Sequence, residues 1–138
     1  MTAICLDKDV VRLAVFLVSY DPSTLCDVID YFVNDRRPSD FHSKRNVIRG
    51  YVTRFRSYCR NDRFIVKVLI LVRDLVNRGL VKTVIDYNGD GSIFCGLCGK
   101  VVSKADHRDF RLTAAEHLWE IHRDYILDTV EYVYSYLF

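Results

Sequence analysis

Cys95-Gly-Leu-Cys98, followed by His117 and His122, constrains this chain more than any other feature. Two thiolates separated by two residues, then two imidazoles, are the donor set of a tetrahedral zinc site. Gly96 and Gly99 permit the tight turn in which backbone N–H groups point at the sulfurs. Residues 100–116 must then fold back so that a following helix can present both His residues. That helix meets a geometric problem, because positions five apart stand about 140° apart around an ideal α-helix. The spacing therefore predicts a distortion between His117 and His122, or a helix break just after them. His107 is the substitute ligand if one of the pair is not used. The bland alternative is two core thiols and two surface imidazoles; a redox pair lacks the usual strand-to-helix context. Cys5, Cys26 and Cys59 fall on helical apolar faces and are expected in the core.

Half of the 138 residues are hydrophobic, with only six Gly and two Pro. This is enough apolar material for one domain with a real core, and too little punctuation for disorder. The five Cys, with no secretory signal pattern in residues 1–9, point to a reducing, intracellular protein whose thiols are free or metal-bound. The longest apolar run, residues 64–72, is too short to span a bilayer.

The hydrophobic period predicts a mainly α fold. Helices are expected over 7–19, then from Asp21-Pro22-Ser23 to about 33, over 44–60, and over 63–78 with Gly79 as the stop. The fourth is apolar nearly all round and so is expected to be the central one. Residues 81–86 read as a short strand, 87–92 as a turn, 93–102 as a hairpin around the Cys pair, and 110–137 as a long helix. Residues 1–80 would thus form a helical body with a basic third helix. Residues 81–138 would form a zinc-binding hairpin and C-terminal helix, the two parts making one compact unit.

Formal net charge is only +2, but its distribution is uneven. On the third helix Val47, Ile48, Tyr51, Val52, Phe55, Tyr58 and Cys59 share one face, and Arg45, Arg49, Arg56 and Arg60 share an adjacent stripe. Arginine suits bidentate phosphate contact, so this stripe is the candidate nucleic-acid surface; the bland alternative is a solvated face. The C-terminal helix is acidic and carries two apolar stripes. One runs through Leu112, Trp119, Ile126, Val130, Val133 and Leu137, the other through Leu118, Ile121, Tyr125, Tyr132 and Tyr136. Two apolar faces need two partners, so Tyr125, Tyr132 and Tyr136 are candidate interface residues for a protein partner or a homo-oligomer.

Two further patterns are set aside. Asp86-Tyr-Asn88-Gly-Asp90-Gly91 matches the start of a calcium-binding loop, but its twelfth position is Leu97 where a bidentate Glu is needed, so it reads as a turn. No catalytic constellation is present, and four protein ligands would close a zinc ion to water. No enzymatic activity, membrane association or small-molecule substrate is expected.

The four residues Cys95, Cys98, His117 and His122, with the apolar Leu118 and Ile121 between the His pair, resemble the two-cysteine, two-histidine zinc-finger superfamily over about residues 93–123. The common DNA-reading finger has a central spacer of about 12 residues; the longer one here is similar to BED-type fingers. The resemblance implies one structural zinc ion held by those four residues. The Asp-, Arg-, Val-, Tyr- and Phe-rich style of the chain also resembles small late proteins of large insect DNA viruses such as baculoviruses. That implies a nuclear role in the infected cell, in nucleocapsid assembly or late gene expression. Two functions follow as expectations: a zinc-stabilised scaffold or adaptor acting through protein contacts, or a nucleic-acid-binding regulator of transcription using the Arg stripe and the zinc module.

Overall fold

The computed structural model describes residues 8–34, 44–85, 91–104 and 110–137. The architecture is mainly α: α1 (Lys8–Tyr20), α2 (Pro22–Asn34), α3 (Arg45–Tyr58), α4 (Asp62–Leu75), a π-helical turn (Val76–Leu80), β1 (Val81–Ile85), β2 (Gly91–Cys95), β3 (Val101–Lys104) and α5 (Phe110–Leu137). Helix ends follow from local chemistry. Pro22 opens α2 with its φ already helical, and the Thr24 N–H donates to the Asp21 carbonyl at 3.1 Å. Asn61 caps α4, its Oδ1 accepting from the Phe64 N–H at 3.2 Å. Gly79 does not end that helix sharply; the chain widens into the π-helical turn before entering β1.

α1, not α4, is the central helix. Val10, Val11, Leu13, Ala14, Val15, Leu17 and Val18 are all buried, and α1 meets α2, α3, α4 and α5. α4 buries one face, through Phe64, Ile65, Val68, Leu69 and Val72, but leaves Ile70 and Arg63 exposed. Its apolar run was longer than its contact face. The core seen on α3 is likewise narrower than its sequence stripe. Ile48, Val52, Phe55 and the following Cys59 are buried, while Val47 and Tyr58 are exposed. Cys26 is exposed, contrary to its expected core position; Cys5 lies outside the described residues.

The strand expected over 81–86 and the hairpin expected around the Cys pair join in one sheet. β1, β2 and β3 form an antiparallel sheet in that order, with Val81 opposite Cys95 and Ser92 opposite Lys104, and a bulge between Ile93 and Phe94. α5 lies against β2, β3 and α1. One core cluster runs from α1 and α4 through Cys95 to Leu118, Trp119, Ile126 and Val130 of α5. The sheet and the C-terminal helix therefore complete the helical core instead of standing beside it.

Arg56 ties three helices together. Its Nε and Nη2 donate to the two carboxylate oxygens of Asp62 at 3.3 and 3.1 Å, and its guanidinium lies 5.7 Å from the Tyr31 ring and 5.4 Å from the Phe32 ring. A half-exposed ion pair is worth about 0–1 kcal/mol and an exposed cation–π contact about 0.5–1 kcal/mol. Arg56→Ala is therefore expected to lower stability by about 1 kcal/mol in urea unfolding, whereas Arg49→Ala, exposed on the same helix, leaves it unchanged within about 0.5 kcal/mol.

Candidate metal centre

The turn after β2 is built around Cys95. The Gly99 N–H donates to the Cys95 carbonyl at 2.8 Å and the Cys95 N–H donates to the Lys100 carbonyl at 2.9 Å, closing the loop. Gly99 has φ 72°, a left-handed conformation that favours glycine; Gly96, expected to share that role, does not adopt it. The backbone N–H groups of Cys98 and Leu97 act on the Cys95 sulfur in favour of its thiolate, as the Cys-Gly-Leu-Cys spacing predicts. Cys95 is 1% exposed and belongs to the core, while Cys98 faces solvent.

The other two donors come from α5. Its backbone departs from helical geometry at His122, with φ −111° and ψ 17°. This is the distortion that the five-residue step requires. It brings both imidazoles over the turn: the Cys95 sulfur lies 3.2 Å from His122 Nε2, and the Cys98 sulfur 3.4 Å from His117 Nε2. The two rings meet edge-on with centroids 5.1 Å apart. All four donor atoms lie within 4.8 Å of one another. With ordinary zinc–sulfur and zinc–nitrogen lengths, a tetrahedral site has sulfur–nitrogen edges of about 3.6 Å. Two edges here are near that value, so the four residues form a cluster able to hold a metal ion.

Comparison with family models, curated proteins and solved structures finds no match. The chemistry of the site thus rests on its own donors. Burial pushes the Cys95 thiol up, against the lowering effect of the Cys98 and Leu97 N–H groups. Burial also lowers His117, helped by the charges of His122 and Lys100. Both shifts favour the neutral form of the group, and for His117 neutral imidazole is the ligand form. Lys100, which closes the turn with its carbonyl and biases His117 with its charge, was not singled out from sequence; its place directly after Cys-x-x-Cys-Gly is the available signal.

The remaining candidates divide. Arg45 and Arg49 are exposed on α3, but Arg60 lies beyond the end of that helix, and Arg56 is engaged with Asp62 and the α2 rings. The four do not form one stripe. On α5, Leu118 belongs to the core and not to the second apolar face. Ile121, Tyr125 and Tyr132 are 62%, 51% and 63% exposed, so an outward apolar row does exist beside the acidic Asp124, Asp128 and Glu131. The side chain of Tyr136, the substitute ligand His107 and the Asp86–Asp90 turn lie outside the described residues. No described helix is long and apolar enough to cross a membrane.

Proposed function

We propose that this chain is a non-enzymatic, zinc-stabilised scaffold or adaptor that works through protein contacts made by α5. The supporting observation is where the cluster sits. Cys95 is in the core, and His117 and His122 bracket the exposed Ile121. An ion held there fixes the helix whose outer row is Ile121, Tyr125 and Tyr132. Four protein donors fill a tetrahedral shell, which suits a structural ion and leaves no position for a reacting water. The resemblance of the sequence to insect-virus late proteins is our ground for proposing that this assembly role is carried out in the nucleus of an infected cell.

A second reading, nucleic-acid binding, is favoured by one observation. Arg45, Arg49 and Arg60 are exposed and make no ion pair with a described residue. The two readings separate by sedimentation. A scaffold of this design associates at high salt, and Tyr125→Ser with Tyr132→Ser returns it to monomer. A chain that stays monomeric at all concentrations yet shifts a nucleic acid at low salt only would sink the scaffold reading.

A further inference from the structure

Away from the metal cluster, α1, α3 and Leu112 of α5 enclose a cleft of about 300 Å³. Its α1 wall carries Arg12, Phe16 and Tyr20, and its α3 wall Tyr51, Arg54 and Tyr58, with the buried Leu13 between them. The residues on each helix are three, four, seven or eight apart, so each set shares one helical face. We propose that this cleft is a binding site for one nucleotide of a single-stranded nucleic acid, its base against the tyrosine rings and its phosphate between Arg12 and Arg54.

Four of the side chains facing this space are aromatic, and they are not sealed into the core. Tyr20 is 46% exposed and Tyr58 37% exposed, so both rings keep open surface beside the cavity. Arg12 and Arg54 stand on opposite walls, with Asp9 also lining the cleft and Asp21 close to Tyr51, so two guanidinium groups face two carboxylates. Aromatic faces with flanking guanidinium groups are what single strands use, since every base has a π-face and every linkage an anionic phosphate. The volume lies at the small end of ligand cavities, which span roughly 300–1,000 Å³, and so suits one base rather than a duplex. Burial and the nearby Asp21 raise the Tyr51 phenol above its ordinary range, with Arg54 opposing, so it remains an O–H donor at neutral pH.

The site is distinct from the arginines of the second reading above. Arg54 stands about 140° around α3 from Arg49, on the side that faces α1. The inference holds whether or not the chain self-associates, and it can fail while binding through Arg45 and Arg49 survives.

The test is fluorescence anisotropy of labelled oligo(dT) with the full chain, against a duplex of equal length. Single-strand preference is expected. Tyr20→Ala with Tyr58→Ala should weaken binding between about 5-fold and 100-fold for each stacked base, with little change in salt slope. Arg12→Ala with Arg54→Ala should lower the slope of log affinity on log salt by about 0.7, the share of one phosphate. Arg54→Lys should keep the slope, which separates lost charge from lost fold; circular dichroism melts check each variant. Four results would overturn the proposal. One is no binding at low salt. Another is equal affinity for the duplex, or displacement by polyglutamate as effective as by unlabelled oligo(dT). The last is binding abolished by Arg45→Glu with Arg49→Glu and untouched by the cleft variants.

Discussion

Stripping zinc with a chelator is expected to release α5 from the sheet and to unfold the C-terminal part of the chain. The magnitude follows from comparing two scales. Structural zinc sites bind with about 10–16 kcal/mol at neutral pH, and whole domains of this kind are stable by only about 5–15 kcal/mol. Loss of the ion therefore removes an amount comparable to the entire stability of the unit it closes. The ligands are not expected to be equivalent. Cys95 is buried in the core cluster, so Cys95→Ala removes a donor and also leaves a void in the core. Cys98 faces solvent, so Cys98→Ala loses only the donor. Circular dichroism with added chelator, and zinc content per chain, should rank Cys95→Ala as the more damaging. Zinc affinity should also rise with pH. Burial holds the Cys95 thiol up, so binding must expel its proton, and affinity climbs about tenfold per pH unit for each thiol proton displaced. His117 is lowered, hence already neutral at pH 7, and adds proton competition only in acid. A protein that folds metal-free, with melting unaffected by chelator, would remove the site.

The four-donor cluster was legible because ligand chemistry fixes both residue type and spacing. The five-residue step from His117 to His122 even located the kink, since no straight helix aims both rings at one point. The helices were legible for a similar reason: Pro22 marks a start by its fixed φ and Asn61 by capping the Phe64 N–H, neither of which needs tertiary information. What depended on the packing of distant segments was not legible. Nothing local in α4 says that α1 takes the centre, because both helices are apolar and the choice depends on what surrounds them. Arg45, Arg49, Arg56 and Arg60 look equivalent by helical period. Yet Arg56 meets an acid six residues on and two rings of α2, and Arg60 falls past the helix end. Leu118 was placed with Ile121 and Tyr125 by angle alone, whereas the kink and the sheet beneath turn it into the core. The cleft between α1 and α3 could not be foreseen at all, because its walls are brought together by the tertiary fold.

Leu118→Ala should destabilise the protein by about 2–5 kcal/mol, the range for a fully buried leucine whose site cannot collapse. Leu118 sits one residue after the ligand His117 and touches the same core that holds Trp119, Ile126 and Val130. Core packing and metal ligation thus act on one stretch of backbone. The two are linked by mass action, since an ion that binds only the folded chain adds about 2.7 kcal/mol when free zinc reaches a hundred times its dissociation constant. Raising free zinc should therefore recover much of the loss in Leu118→Ala. Ile121→Ala, three residues on but 62% exposed, should stay within about 0.5 kcal/mol of the parent and show its effect in self-association instead. Trp119, the single tryptophan, is 7% exposed with the Arg123 guanidinium 6.0 Å from its ring, so its emission reports this segment directly. Urea unfolding followed at Trp119 should give one transition that moves with free zinc. If Leu118→Ala loses stability but zinc restores none of it, the clasp and the core are separate units, and the coupling of α5 to the metal is wrong.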